Sequence, residues 1–234
     1  MSKEKVLILG SQHGNEVLGI NLYTYMSQKY PEYVEFVDYI CANPDAYSKH
    51  TRFIETDMNR SYKMDGHSYE EDQAREILKV IKQKAYDYVL DVHTTTAGVG
   101  GVFVAVALND ANTKIIRASK ITEIITMSDE IAEHSLIGHV PSSISIEYNE
   151  VLAREESSLE ELSQFVINLI DGNSNEPLER HQYVVTGFIA NDEDTAGFEN
   201  FKLSHRGYYP LLFGEANYTK YRGFKAETKV SQII

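Results

Sequence analysis

Val6-Leu7-Ile8-Leu9-Gly10-Ser11-Gln12-His13-Gly14-Asn15-Glu16 is the stretch from which the fold is read. Four consecutive apolar residues closed by a glycine predict a short strand buried on both faces, as inside a parallel sheet. A tight turn between Gly10 and Gly14 then leads into a helix expected to open at Glu16. His13 and Glu16 lie three residues apart in that turn, at the carboxyl end of the strand, where open α/β sheets place their ligands. An imidazole and a carboxylate so spaced have two readings. They cap the helix, or they join a second, distant histidine in a His, Glu, His set that holds catalytic zinc and leaves one position open for water.

Outward from this turn, the apolar residues Val17, Leu18, Ile20, Leu22, Tyr25 and Met26 recur near the helical period up to about Tyr30, and Pro31 stops the helix. Residues 34–41 predict a second strand, and Asn43-Pro44-Asp45 a turn. A polar stretch from Ala46 to about His67 has no good periodicity. Loops of that length inside a compact domain are usually functional, and this one holds Arg52, Asp57, Asn59 and Arg60. Residues 69–84 predict an amphipathic helix, 87–93 a strand ending in the threonine-rich turn Thr94-Thr95-Thr96, 101–108 a further strand, and 111 to about 127 a helix. Strict alternation over Ser143-Ile144-Ser145-Ile146-Glu147-Tyr148 predicts a strand with both serines and Glu147 on one face and the apolar residues on the other. Another helix is expected over 155–170. The polar run 171–177 is the best boundary, and three short β-like runs follow it at 182–189, 208–213 and 224–230. Alternating β and α segments argue for an α/β domain, residues 1–171, with a mostly parallel sheet and helices on both faces. The tail argues for a small β-rich lobe, residues 178–234.

Composition narrows the function classes. At 234 residues, 42% hydrophobic and 24% charged, the chain suits a soluble protein with one sizeable core, or one core and a small lobe. A net charge of −13 lacks the basic footprint of a nucleic-acid or anionic-membrane partner. It leaves room for a small anionic substrate, because local arginines can reverse the potential inside a cleft. The single Cys41 forbids an internal disulfide, fits a reducing compartment, and reads as a core residue at the end of an apolar run. No apolar run approaches the roughly 20 residues of a membrane span. Met1-Ser2-Lys3-Glu4-Lys5 leads into only four apolar residues, so no signal peptide is expected and a cytoplasmic protein is.

In a parallel sheet the carboxyl ends share one edge, so His13, Glu16, His93 and Glu147 can converge although they are far apart in sequence. The chain resembles the aspartoacylase and succinylglutamate desuccinylase family, related in fold to the zinc carboxypeptidases. The resemblance rests on His13-Gly14-Asn15-Glu16; on Ala42-Asn43-Pro44 with Thr51-Arg52-Phe53-Ile54-Glu55-Thr56-Asp57-Met58-Asn59-Arg60; on Asp91-Val92-His93-Thr94-Thr95-Thr96; and on Ile146-Glu147. Tyr209-Pro210 with Glu215-Ala216-Asn217-Tyr218 is a looser match. It implies a three-layer α/β/α domain with a mostly parallel mixed sheet, and a C-terminal lobe covering the site. One Zn2+ would sit on His13, Glu16 and His93. Glu147 would activate the water at the metal and later pass a proton to the leaving amine, and Arg52 would stabilise the oxyanion. Asn59 and Arg60 would hold a substrate carboxylate, and Tyr218 would reach in from the lobe. The implied substrate is a small anionic acyl-amino acid, with N-acyl-aspartate or N-succinyl-glutamate leading. A zinc carboxypeptidase acting on short peptides and a non-catalytic zinc-dependent binding protein are the alternatives.

The chemistry supports these roles: a zinc-bound water ionises near neutral pH, a neighbouring carboxylate can shuttle protons, and guanidinium groups match an oxyanion or a carboxylate. Two departures stand out. The chain is short for a two-lobe member, so the lobe must be abbreviated. The stretch 133–139 lacks the tyrosine and arginine with which aspartoacylases grip the amino-acid carboxylate. Asp91 and Asp45 have two readings each, as carboxylates that orient a ligand imidazole or as strand-end and turn residues. The six other histidines have no partner at ligand spacing and read as surface or structural, and a homo-oligomer is left open.

Overall fold

The computed structural model describes residues 3–63, 65–175 and 177–233. Met1, Ser2, Met64, Glu176 and Ile234 lie outside the described residues, among them one residue of the polar breaker run and the extreme ends of both expected domains.

The strands form one sheet, in spatial order β2 (Val37–Cys41), β1 (Val6–Gly10), β3 (Tyr88–Thr95), β6 (Ser143–Asn149), β4 (Gly101–Ala105), β5 (Glu123–Thr126), β7 (Glu179–Phe188), β9 (Phe224–Ile233) and β8 (Tyr209–Leu211). The first four are parallel to one another. β4 runs antiparallel to β6, whereas β5 and β7 continue parallel to β4. The antiparallel pairs β7–β9 and β9–β8 finish the sheet, so the C-terminal strands extend the main sheet at its far edge.

Every residue of β1 is buried because both faces of the sheet are covered. On one face Val6 and Ile8 pack with Leu22 and Met26 of α1 (Leu18–Lys29), Ile115 and Ile116 of α4 (Asp110–Ala118), and Phe165 and Val166 of α6 (Glu156–Asp171). On the other, Leu7 and Leu9 meet Ala74, Ile77 and Ile81 of α3 (Tyr69–Lys84). This is the period-two alternation of a strand read out on two layers, with each buried aliphatic side chain worth about 1.5–3 kcal/mol. A Ser68/Glu71 capping box fixes the start of α3. The chain leaves β1 for β2 on one side and returns through α3 to β3 on the other. The β1/β3 crevice is therefore a topological switch point, open at the carboxyl ends.

Several boundaries differ from the sequence expectations. The first helix opens at Leu18 rather than Glu16, and β2 begins at Val37 because Pro31–Phe36 forms a 3-10 turn. Asn43-Pro44-Asp45 opens a short helix, α2 (Pro44–Lys49), instead of making a plain turn. The Asn43 side chain accepts from the Ala46 N–H, and Pro44 takes the first helical position. Asn-Pro serves either purpose, as N-cap plus N1 or as turn. Residues 111–127 do not form one helix: α4 ends at Ala118, and Glu123-Ile124-Ile125-Thr126 becomes β5. The β-branched run 124–126 carried that signal, but its apolar residues also fitted a helical stripe.

Candidate metal centre

The turn after β1 is built by two close constraints. Ser11 adopts a left-handed φ of 55°, costly for a residue with a Cβ, while its hydroxyl donates to the Glu16 carbonyl at 3.1 Å. Gly14 lies against the backbone of α2, where a Cβ would come within 2.1 Å of the Ala46 carbonyl carbon and 2.3 Å of the Tyr47 nitrogen. Held this way, His13 and Glu16 project over the end of β3. There His93 sits in register beside Glu147 of β6.

The structure brings His13, Glu16 and His93 together. Their ligand atoms lie within 4.8 Å of one another and all three residues are buried, with the two imidazole centroids 5.2 Å apart. Glu16 Oε1 is 2.7 Å from His13 Nδ1, and Oε2 is 3.1 Å from His93 Nδ1. The Thr94 N–H donates to the same Oε2 at 3.1 Å. The far nitrogens are held from behind: His13 Nε2 faces Asp57 Oδ1 at 3.0 Å, and His93 Nε2 faces Asp91 Oδ1 at 3.0 Å. Each imidazole thus presents Nδ1 to a common point while a carboxylate fixes its tautomer and orientation, as second ligand shells do. Two such nitrogens and one carboxylate are a donor set that zinc accepts. The capping alternative fails, because the N-cap of α1 is Val17 and no side chain caps the helix.

Charge is concentrated here. For His93, burial alone would lower the pKa, but Asp91, Glu16 and Glu147 overcome it and hold the imidazole well above the ordinary histidine range. His13 is raised in the same way, against burial, by Glu16 and Asp57. Glu16 and Asp57 are both depressed: burial opposes ionisation, and the imidazole partners outweigh it. Glu147 behaves oppositely. Loss of water around its carboxylate, with a lowering contribution from His93 and a raising one from Glu16, pushes it up to about 7.

A polar cavity of about 30 Å³ lies over His13, Glu16 and His93, bordered also by Arg52, Asn59, Arg60, Glu147, Glu215 and Tyr218. Arg52 is aimed by Asp57, at 3.1 Å from Nη2, and approaches Glu16 Oε1 at 3.5 Å. Arg60 donates to the Asn59 carbonyl at 2.6 Å and reaches the Tyr221 hydroxyl at 3.5 Å. The Asn59 side-chain oxygen is buried without a hydrogen-bond partner. Tyr218 packs its ring on Tyr221 and Phe224, at 4.8 and 5.7 Å between centroids. A second cavity, of about 160 Å³, shares Asn59, Arg60, Glu147 and Tyr218 with the first and runs on between β4 and the C-terminal aromatic residues.

Four residues that position the site were not assigned roles from sequence. Asp57 bridges His13 and Arg52. Gln12 donates to Asp91 Oδ1 and so backs His93 at second hand. Glu70, fully buried in the first turn of α3, accepts from the Ile54, Glu55 and Thr56 N–H groups and so anchors the loop that carries Arg52 and Asp57. Glu215 accepts from the Thr95 hydroxyl at 2.7 Å and the Thr96 N–H at 2.8 Å, tying the C-terminal segment to the end of β3. Of these, Asp57 lay in a loop already marked as functional. Glu215 lay in the looser C-terminal match without a role, and Gln12 and Glu70 are placed by tertiary contacts alone. Asp91, left open between two readings, stands behind His93; Asp45 does not approach the imidazoles and belongs to the start of α2.

Residues 2–171 match the Succinylglutamate desuccinylase/Aspartoacylase catalytic domain. The chain belongs to this family. A probable aspartoacylase of Trichodesmium erythraeum is 33% identical over a stretch covering 47% of this chain and 42% of that protein. An N-acyl-aromatic-L-amino acid amidohydrolase (carboxylate-forming) of Xenopus tropicalis is 32% identical over 42% of this chain and 36% of that protein. The matched stretches thus span less than half the length of these curated relatives. The crystal structure of murine aminoacylase 3 is similar throughout, with a TM-score of 0.74 at 20% identity, covering 100% of this chain and 98% of that one. At that identity the likeness shows the shared fold of the desuccinylase and aspartoacylase family. No helix among the described residues is long and apolar enough to cross a membrane.

Proposed function

We propose that the protein is a zinc-dependent amidohydrolase that cleaves the amide bond of a small N-acyl amino acid. Residues 1–171 would carry the chemistry, and 178–234 would form a lobe that borders the site. The observation carrying this reading is Glu147, which lines the same cavity as the three ligands, stands in register with His93, and has a pKa raised to about 7. A carboxylate placed beside a metal-held water can take its proton and return it.

A Zn2+ held by His13, Glu16 and His93 would supply a bound water acidic enough to ionise near neutral pH. Glu147 takes the proton of the attacking water and delivers it to the leaving amine nitrogen. Arg52, fixed by Asp57, points a guanidinium at the carbonyl oxygen as it gains charge. Arg60 pairs with the substrate carboxylate. Asn59, whose buried side-chain oxygen is otherwise unpartnered, accepts a donor such as the substrate amide N–H. Tyr218 closes the wall opposite. Among the alternatives, a carboxypeptidase needs an open groove, and the Glu215 tether across the end of β3 argues against one. A purely binding role gives no part to Glu147, which borders the cavity over the three-residue cluster.

The family names divide over the amino-acid side chain, anionic for an aspartoacylase and aromatic for the Xenopus relative. An amine-release assay on purified protein, with chelator and with zinc restored, tests hydrolysis itself. Turnover lost with chelator, regained with zinc, and abolished by Glu147→Gln while zinc stays bound is the expected outcome. Unchanged turnover in that variant overturns the mechanism.

A further inference from the structure

We infer that the cavity behind Glu147 is the subsite for an uncharged, apolar amino-acid side chain, branched aliphatic or aromatic. The inference rests on the hydrolase reading above and specifies its substrate. It starts from a count of charges. Apart from the two imidazoles of the ligand cluster, the cations among the described residues bordering the two cavities are Arg52 and Arg60. Arg52 is engaged by Asp57 and Glu16 and faces the reacting carbonyl. That leaves Arg60 for one carboxylate, and every N-acyl amino acid already has one, on the α-carbon.

A second carboxylate on the side chain would enter the larger cavity beside Asp91 and Glu147, with no cation left to pair it. Burying an unpaired charge beside two like-signed groups is strongly unfavourable. The wall that receives the side chain carries no cation: Val104, Met127, Ile131, Ile137, Leu212 and Phe224 line it, with the uncharged Ser135, Ser145 and Tyr221 among them. Ile137 comes from the stretch 133–139, which contributes no cation to either cavity.

Size agrees with this assignment. About 160 Å³ is close to the roughly 150 Å³ of an apolar cavity known to take benzene. The cavity over the ligands, about 30 Å³, has room for roughly two waters, so the acyl group there is short. Connectivity decides which end of the substrate goes where. The side chain and the α-carboxylate branch from one carbon, and Arg60 lies on the border of the larger cavity.

The test is kcat/KM of the zinc-loaded, full-length protein on N-acetyl-L-leucine, N-acetyl-L-phenylalanine, N-acetyl-L-aspartate, N-succinyl-L-glutamate, N-acetylglycine and N-hexanoylglycine. Leucine or phenylalanine should exceed glycine by about 10- to 100-fold, the value of burying one such side chain, and exceed aspartate by more. Met127→Arg should lower the leucine-to-glycine ratio at least tenfold and raise aspartate relative to leucine. A preference of the wild-type protein for aspartate or succinylglutamate overturns the inference and leaves the hydrolase reading standing. A preference for hexanoylglycine over acetyl-leucine overturns the placement of the side chain, because the apolar cavity would then serve the acyl group. Cleavage of none of the six removes the hydrolase reading and this inference with it. The wild-type panel decides these cases even if the arginine variant fails to fold.

Discussion

Glu70→Gln is the perturbation whose effect can be worked most closely from the structure. The Glu70 carboxylate accepts from four donors: Ile54 N at 2.6 Å, Asn43 Nδ2 at 3.1 Å, Thr56 N at 3.1 Å and Glu55 N, which is shared between both oxygens, at 3.2 and 3.4 Å. Glutamine keeps the shape but offers one oxygen and one NH2. If its oxygen stays with Ile54 and Asn43, the Glu55 and Thr56 N–H groups face another donor. Each bond lost to an ionised acceptor is worth about 1.5–3 kcal/mol, so two amount to about 3–6 kcal/mol. Glu55 and Thr56 are exposed, and water reaching their N–H groups reduces the expected loss to about 2–4 kcal/mol. Urea unfolding of the metal-free protein measures it, as a lower midpoint with an unchanged m-value. The same loop carries Arg52 and Asp57, so zinc affinity by calorimetry should fall about tenfold, the scale seen when groups behind a ligand are lost. A midpoint change worth under about 1 kcal/mol, with zinc affinity unchanged, would refute the argument that this carboxylate holds the loop.

Asp57→Asn should weaken zinc binding about 10- to 100-fold and lower kcat, because one carboxylate orients both His13 and Arg52; a change in KM alone would contradict this. Gly14→Ala drives a methyl into the α2 backbone, where no side chain can yield, and should cost about 1–3 kcal/mol of stability, checked by thermal melts. Without metal, stability should fall from pH 6 to pH 9. The raised pKa values of His13 and His93 give stability that is complete below the unfolded value of about 6.5 and is lost as pH climbs through the folded values. Glu147, raised to about 7, acts in the same direction between the ordinary glutamate range and pH 7. Glu16 and Asp57, depressed, contribute above the ordinary carboxylate range and lose that contribution as pH falls toward their lowered values. Saturating zinc should flatten or reverse the trend, since ligation needs neutral imidazoles; a metal-free melting temperature that rises toward pH 9 would contradict the assignment.

The parts of this molecule legible in its sequence are those where one residue type is forced by its place in a regular element. Continuous apolar residues in β1 and alternation in β6 gave the sheet and put Glu147 on a polar face. The glycine-bounded turn marked His13 and Glu16. What stayed hidden depends on contacts between distant segments. Glu70 reads locally as an acid in a helix's first turn, favoured there by the helix dipole, and only the fold turns it inward onto loop 54–56. Likewise β5 was hidden because its two isoleucines suit either period, and only its neighbours β4 and β7 decide between them. The larger cavity was invisible for the same reason, its wall being drawn from β4, α5 (Asp129–Ala132), its flanking residues and the C-terminal strands.

His93 and Glu147 occupy facing positions on adjacent strands, so the gap between imidazole and carboxylate is set by the backbone ladder, whose spacing is about 4.8 Å. The chain between them, residues 96–142, departs to build β4, α4, β5 and α5 before returning, and on the way it supplies Val104, Met127, Ile131 and Ile137. That excursion is tied back to the same ladder, because β4 lies antiparallel against β6 with Val102 opposite Glu147. A change in one of these side chains alters the cavity wall alone, whereas a change in the β4 backbone also moves the strand that holds Glu147.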